Sequence, residues 1–205
     1  FPEPKDFTDL DINIKMKFDI KNDYLIYSWW EWIEKNYEKL IHVFKKLKED
    51  SIKPLYTWKK IDLVLLWESI SKNITLRNLV LKLEMQNDVH FIWVIKDSER
   101  SLFYKYSIWV IFPSFYEPFP FRLTEPLHLN IPIISSDLKS IKSVFWESIT
   151  YFSAISINNI YEKINLFLKD NLNSNWEYRK GVNYDEIKEK YKKENTINKI
   201  LELIK

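Results

Sequence analysis

The sequence contains no cysteine and a single glycine among its 205 residues. Without cysteine there is no disulfide framework, thiolate nucleophile or zinc–thiolate site. No apolar run approaches the ~20 residues that cross a bilayer, so we expect neither a membrane span nor a signal peptide. The net charge of +2 is close to neutral. This balance argues against a dedicated nucleic-acid binder, which normally carries a clustered basic excess.

The shortage of glycine is abnormal. Average usage of ~7% would give ~14 glycines in a chain of this length, whereas the chain has 9 tryptophans. Trp29, Trp30 and Trp32 stand between the β-rich run "DYLIYS" and a helix-like segment. A tight turn at such a place ordinarily needs glycine, because only glycine adopts positive φ without steric cost.

Strand-like and helix-like segments alternate along the chain. The strand candidates are "DYLIYS", "IKPLYT", "VHFIWVI", "IWVIFPS", "IPIISSD" and "SITYFS", and "IDLVLLWESISKN" is ambiguous between strand and helix. Helix candidates lie between them, including one whose apolar face is formed by Leu40, Ile41, Val43, Phe44 and Leu47. In "DSERSLFYKYS" we expect Asp97 to be the N-cap.

This alternation predicts an α/β fold, a Rossmann-like parallel sheet with helices on both faces. We expect a linker at 1–22 and one domain at 23–205. Ligands of such sheets bind beyond the carboxyl ends of the strands. The chemistry is therefore expected after Ser28, Thr57, Ile95, Ser114 and Ser136.

The residues at one of these strand ends are specific. "PSFYEPFPFRLTEPLHLNIPIISSD" resembles the donor-binding segment of retaining glycosyltransferases of the GT-B fold, the family 4 or group 1 type. The family pattern is P-S-x-x-E-G-F-G, a second glutamate eight positions after the first, and then G-x-P-V-I-x-S-D. Glu117 and Glu125 keep this spacing, and Pro113 and Ser114 precede them.

Three other segments resemble the same family in the right order. "YSWWEWIEKNYEKLI" is similar to Y-x-G-G-x-x-x-x-K-N-x-x-x-L-I, with Lys35 and Asn36 in register. "DVHFIWVIKDSERSLFYKYSIWVIFPS" is similar to V-x-F-x-G-x-V-x-D-x-x-L-x-x-x-Y-x-x-A-x-V-x-x-x-P-S, and "SVFWESITYF" to E-V-x-G-D-A-A-x-Y-F. The resemblance covers 23–205 and implies the carboxy-terminal, donor-binding half of a GT-B enzyme.

The implied reaction moves a hexose from a nucleotide-diphosphate sugar to a hydroxyl acceptor with retention of configuration. The resemblance implies that this reaction needs no cofactor and no bound metal. Complete family members carry an amino-terminal acceptor domain, which we expect to be missing here, so the chain by itself should be a poorly active fragment. The implied partners are the nucleotide sugar and, through the missing domain, a glycan or lipid-linked acceptor. The implied location is the cytoplasm, with room for peripheral association at the inner membrane surface.

The resemblance also assigns roles to individual residues. Glu117 hydrogen-bonds hydroxyls of the donor sugar, and Glu125 binds the ribose of the nucleotide. Carboxylates suit both tasks, because each accepts hydroxyl hydrogen bonds at fixed geometry. Lys35 is the cation for the diphosphate and, with Glu117, the expected catalytic pair. The expected donor-binding residues are Glu125, Phe119, Phe121, Arg122, Trp29, Trp30 and Ile95.

The loop between the glutamates departs from the family pattern. Family members offer backbone N–H groups of a G-F-G turn and of a helix start to the diphosphate. Here Pro118 and Pro120 have no N–H. Phe119, Phe121 and Arg122 are left as donors.

Two further expectations concern this region. Pro126 fits only near the first turn of a helix, which places the helix start near Arg122 or Leu123. The family also carries an arginine shortly before its lysine, but Trp30 and Glu34 fill the corresponding positions. Arg122 is then the candidate for a second cation.

Four tryptophans fall where the family carries glycine: Trp29, Trp30, Trp93 and Trp146. Independent changes from glycine to the largest side chain are implausible, because each inserts a ring into a tight backbone site. Our hypothesis is that UGA codons mean glycine in the source organism and are read here as tryptophan. The alternative is a divergent protein with genuine tryptophans, and UGG codons at these positions would establish it.

Other interpretations stay open at this point. The chain could be a non-catalytic, degenerate α/β binding module, with Glu117 and Glu125 as solvated glutamates and Lys35 as a surface residue. A flavodoxin-like signalling domain is disfavoured, because the strand ends lack an acidic phosphoacceptor cluster. The histidines show no metal-ligand spacing; they are His42, His90 and His128.

Overall fold

The computed structural model describes residues 14–28, 35–50, 61–67, 74–93, 96–172 and 184–192. Within these ranges, six parallel strands form one sheet in the order β3-β2-β1-β4-β5-β6. The strands are β1 (Asp23–Ser28), β2 (Ile61–Trp67), β3 (Val89–Trp93), β4 (Trp109–Phe112), β5 (Ile133–Ser136) and β6 (Thr150–Phe152). The predicted Rossmann-like sheet is confirmed. Its strand order reverses between β1 and β4, which places a crevice at the carboxyl ends of these two strands.

Helices connect the strands and cover the sheet. They are α1 (Ile14–Lys17), α2 (Tyr37–Glu49), α3 (Ile74–Lys82), α4 (Asp97–Tyr106), α5 (Thr124–His128), α6 (Lys139–Phe145), α7 (Ile157–Leu172) and α8 (Asp185–Lys190). Helix α2 packs against α3 and α7, whereas α4 packs against α1 and α5. Because parallel crossovers are right-handed, the two groups of helices lie on opposite faces of the sheet.

The core lies between the sheet and these helices. Every residue of β4 is buried, as are five of the six residues of β1. Such strands read as continuous apolar runs because both faces of the sheet are covered. On one face, the ring of Trp109 packs edge-on against Phe167 of α7, with centroids 4.8 Å apart. The predicted apolar face of α2 is buried as expected, and each such side chain contributes roughly 1.5–3 kcal/mol.

Several local predictions changed. The ambiguous segment contains β2, while the strand candidate ending at Thr57 lies outside the described residues. Helix α4 begins at Asp97 with Lys96 in the N-cap position, so the expected cap was wrong by one residue. The reason is that Lys96 is extended and its N–H donates to the Glu99 carboxylate at 3.2 Å. Part of the expected linker forms α1, and Ile14 is buried in the core.

Trp146 has an unusual backbone. It follows α6 with φ 44° and ψ −122°, and its side chain is 37% exposed. A bulky residue with positive φ is a genuine outlier, since its Cβ collides with the backbone. The position has the backbone of a glycine, as the resemblance implies.

Trp93 is different. It lies in β3, an edge strand, where its ring stacks on Phe91 and the guanidinium of Arg77 lies 4.2 Å from its centre. This backbone does not demand glycine. Trp29 and Trp30 lie outside the described residues.

A polar network closes the amino edge of the sheet, opposite the crevice. The buried Asp62 of β2 accepts a hydrogen bond from Asn22 at 3.0 Å, and the His90 ring of β3 lies 2.9 Å from its other oxygen. Lys48 of α2 lies 4.0 Å from Asp62 and 2.5 Å from Asp88. Three secondary-structure elements and the residue before β1 therefore meet at one carboxylate.

Candidate active site

A buried ion pair occupies the crevice between β1 and β4. Lys35 follows β1 and Glu117 follows β4, and the Lys35 Nζ lies 3.0 Å from the Glu117 Oε2. The side chains are only 5% and 3% exposed. Water screens such a pair weakly, so the charges hold each other in one geometry. The two residues predicted to be catalytic are thus brought together.

Asn36 fixes the backbone beside Lys35. It precedes α2 in the left-handed conformation, with φ 62° and ψ 31°. Its buried side-chain amide donates to the carbonyls of Pro113 and Ala154, each at 3.0 Å. Asparagine tolerates this conformation better than other non-glycine residues. One side chain thereby ties the start of α2 to the segments that follow β4 and β6.

The loop carrying Glu117 is held at two further points. The Ser140 hydroxyl of α6 donates to the Glu117 carbonyl. Before the loop, the Tyr27 and Ser114 hydroxyls lie 3.0 Å apart in the core. These contacts join the loop to β1 and α6, so Glu117 sits on rigid elements although the residues around it form an irregular loop.

Glu125 has different partners, and both come from α4. Arg100 Nε donates to its Oε2 at 2.9 Å, and the Ser101 hydroxyl contacts its Oε1. Arg100 and Glu125 are 16% and 18% exposed. Burial, and next the negative charge of Glu125, raise the pKa of the neighbouring Tyr104 to about 12. The second glutamate of the motif, Glu125, is therefore held by two side chains of α4.

The prolines shape the backbone between the glutamates. Pro120 has φ −80° and ψ 55°, close to an inverse γ-turn. Across it, the Phe121 N–H donates to the Phe119 carbonyl at 2.9 Å. In this conformation the Phe121 N–H is engaged within the loop, and its role toward a diphosphate stays a prediction. The chain then forms a 3-10 turn at Phe121–Leu123, ahead of α5.

This turn agrees with the helix start expected from Pro126, since α5 begins at Thr124. The Thr124 hydroxyl donates back to the Phe121 carbonyl at 2.6 Å. Helix α5 is only five residues long, so its dipole is weak.

Aromatic side chains surround Glu117 along the loop. Phe115, Tyr116 and Phe121 are exposed, and the rings of Phe119 and Phe121 lie 4.5 Å apart. Lys39 of α2 lies over Phe115, 4.5 Å from the ring centre. The loop that carries Glu117 thus presents exposed aromatic rings.

Sequence reasoning located Lys35, Glu117 and Glu125 but missed three residues that hold them, namely Arg100, Ser101 and Ser140. The K-N pair of the resemblance marked Asn36 but assigned it no role. The predicted donor-binding residues Trp29, Trp30 and Ile95 lie outside the described residues. In the described ranges, no three His, Asp or Glu side chains gather as metal ligands. No helix there is long and apolar enough to cross a membrane.

A parallel sheet of order 3-2-1-4-5-6 with an ion pair at its reversal point defines a Rossmann-like α/β domain with a ligand crevice. Residues 17–189 match the family model of the glycosyl transferases group 1. The chain belongs to this glycosyltransferase family. An uncharacterized glycosyltransferase of Methanocaldococcus jannaschii is 33% identical over 101 residues, which is 49% of this chain and 22% of that protein.

Solved structures share the fold at low sequence identity. Anabaena HepE, solved with UDP and glucose, has a TM-score of 0.74 at 12% identity, covering 94% of this chain and 51% of HepE. A Rickettsia africae glycosyltransferase has a TM-score of 0.73 at 15% identity, covering 93% and 50%. The carboxy-terminal domain of Francisella tularensis LpcC has a TM-score of 0.68 at 15% identity, covering 89% and 94%. The chain spans about half the length of the first two structures.

Proposed function

We propose that this chain is the donor-binding part of a retaining glycosyltransferase, which transfers a hexose from a nucleotide-diphosphate sugar to a hydroxyl acceptor. Lys35 and Glu117 act at the reacting end of the donor, and Glu125 binds its ribose. A cytoplasmic location and a glycan or lipid-linked acceptor are part of the proposal.

The observation that carries the proposal is the buried Lys35–Glu117 pair at the sheet's reversal point. Burying two charges is costly unless they have excellent partners, and a buried ion pair is weak evidence for stability. A pair placed at a ligand crevice is better explained by a ligand that uses both charges. A diphosphate needs the cation, and sugar hydroxyls need the carboxylate.

The charges have complementary tasks in the reaction. The bond between the anomeric carbon and the diphosphate oxygen breaks, and negative charge develops on the leaving diphosphate. The Lys35 ammonium stabilises that charge in a water-poor site. Glu117 accepts hydrogen bonds from the hexose and so orients it. The acceptor oxygen forms the new bond to the anomeric carbon on the same face, and its proton passes to the leaving diphosphate.

The donor class is supported from outside the chain as well. HepE has been solved with UDP-glucose, at a TM-score of 0.73 and 12% identity to this chain. We therefore expect the chain to bind the nucleotide sugar and the corresponding nucleoside diphosphate.

Calorimetric titration tests the proposal. UDP-glucose and GDP-mannose are titrated into the wild-type chain and into Lys35→Ala and Glu125→Ala. Loss of one charge-assisted contact should weaken binding about tenfold. Lys82→Ala and Glu162→Ala change exposed residues of α3 and α7 and should leave the affinity unchanged. Absence of binding to the wild type, or equal affinities for all variants, would refute the proposal.

A further inference from the structure

The two oxygens of Glu125 are engaged by consecutive residues of α4. Arg100 Nε approaches Oε2 at 2.9 Å while the Ser101 hydroxyl contacts Oε1. A carboxylate fixed at both oxygens has one side-chain rotamer and one orientation of its plane. Helix α4 therefore sets the direction in which Glu125 can accept further hydrogen bonds.

The surroundings of Glu125 explain why it needs the contacts with Arg100 and Ser101, which together form a clamp on its carboxylate. Glu125 lies beside Tyr104, which is fully enclosed in the core. A carboxylate at the boundary of an apolar interior loses hydration, so its charged form needs a compensating partner. Arg100 supplies a permanent positive charge on a planar group that cannot be deprotonated in proteins.

Capacity for a ligand is left after the clamp is made. An ionised carboxylate offers about four lone-pair sites, and Arg100 and Ser101 each occupy one. Two adjacent hydroxyl groups, as on a ribose, match the spacing of two carboxylate oxygens. A ligand diol is thus the chemistry that complements the clamped carboxylate.

We propose that Arg100 is the positioning residue for ribose recognition: it holds the Glu125 carboxylate in one orientation, so that it accepts hydrogen bonds from the 2′- and 3′-hydroxyls of the donor nucleotide. Ser101 assists by holding the second oxygen. This inference rests on the proposed function, because it assigns a partner to the glutamate that binds the nucleotide.

The test measures discrimination between ribose and its dideoxy form. UDP, GDP and their 2′,3′-dideoxy analogues are titrated calorimetrically into the wild-type chain, Arg100→Leu and Arg100→Lys. Arg77→Leu is the matched control, since Arg77 lies on α3 over the edge strand. We expect the wild type and the control to prefer the ribonucleotide about tenfold. Arg100→Leu should bring the ratio close to one, and Arg100→Lys should retain part of it.

The outcomes separate this inference from the proposed function. A wild type that binds UDP or GDP with ribose preference, but whose Arg100→Leu variant keeps that preference, refutes the inference alone. A wild type that binds neither nucleotide refutes the proposed function together with it. If Arg100→Leu does not fold, the Arg100→Lys and Ser101→Ala variants decide: an undiminished ratio in both refutes the role of the clamp.

Discussion

Lys35 and Glu117 are 82 residues apart in sequence, and their charged atoms lie 3.0 Å apart in the interior of the molecule. The contact joins the residue before the Asn36 cap of α2 to the loop beyond β4. Strands β1 and β4, which precede these two residues, are the two central strands of the sheet. The geometry of the pair thus depends on the central strands of the sheet, so substitutions in it test both the stability of the fold and the proposed site.

The first prediction concerns the energetics of this pair. Lys35→Met or Glu117→Gln alone should lower the free energy of unfolding by about 3–5 kcal/mol, because each leaves a buried charge without its partner. The double variant should lose less unfolding free energy than the two single variants lose in total. Urea unfolding measures all three, and the exposed pair Lys45–Glu49 serves as a control expected to change stability by under ~1 kcal/mol. Strict additivity would contradict the prediction.

Two variants of Asn36 distinguish the energy of its backbone strain from that of its side-chain hydrogen bonds. Asn36→Gly keeps the left-handed backbone but loses the two amide hydrogen bonds, which should cost about 1–3 kcal/mol. Asn36→Ala loses the same bonds and adds about 1–2 kcal/mol of strain. The difference between the two midpoints in urea gives the strain. An alanine variant as stable as the glycine variant would show that the strain is absent.

The glycine hypothesis predicts that Trp146→Gly stabilises the protein. Relief of positive φ should contribute about 1–2 kcal/mol, while the contact of Lys190 with the indole ring, at 3.7 Å, is lost at about 0.5–1 kcal/mol. The net gain should be about 1 kcal/mol by thermal or urea unfolding.

Trp146→Ala is the matched control, because it removes the ring but keeps the Cβ that causes the strain. A glycine variant no more stable than the alanine variant would count against the hypothesis. Independently, the coding sequence should show UGA at positions 29, 30, 93 and 146, and UGG there would end the hypothesis.

Alkaline pH should unfold the protein through its tyrosines. Burial and the charge of Glu125 raise the pKa of Tyr104 to about 12, and burial foremost raises the pKa of Tyr161 to about 12. An unfolded tyrosine titrates near ~10. Between these values the unfolded state releases its protons first, so stability falls as the pH rises from about 10 to 12.

Tyr104→Phe removes one titrating group from this window. Its urea unfolding should therefore lose stability with pH less steeply than the wild type, by up to about 1.4 kcal/mol per pH unit. The slope is compared rather than the absolute stability, because the variant also lacks the hydrogen bond with Ser28. Parallel pH profiles of the two proteins would rule out the raised pKa.

Asp62→Ala should destabilise without affecting the crevice. Its partners at the amino edge, Asn22, His90 and Lys48, would lose their shared acceptor, which should cost about 3–5 kcal/mol. Affinity for a nucleoside diphosphate should be unchanged in the folded variant, because the site is at the opposite edge. A large change in affinity at a temperature well below the unfolding transition would disprove this separation.

The fold was largely predictable because parallel strands covered on both faces are apolar throughout and are separated by helices with a clear apolar face. The segment containing β2 resisted assignment, since a short apolar run has the same appearance in a buried strand and a buried helix. Thr57 was consequently expected at a strand end, whereas the described strand that pairs with β1 ends at Trp67.

The candidate site was predictable only where residues carry their own chemistry. Lys35, Glu117 and Glu125 stand out by type and spacing. Arg100 does not, because its role depends on the packing of α4 against α5. The internal bond of the Phe121 N–H depends on the ψ of Pro120, and proline fixes φ but leaves ψ free.

Asp62 also helps to fix the register of β2 against its neighbouring strands. Side chains alternate between the faces of a strand, so sliding β2 by one residue would turn this carboxylate to the other face. Asp62 would then lose Asn22 and His90 together, in a strand whose other residues are all apolar. Leu63, Val64 and Leu65 would tolerate such a slip with little penalty, because apolar packing is similar on both faces. Asp62, the one charged residue of β2, thus makes misaligned pairings of the strand less stable than the native pairing.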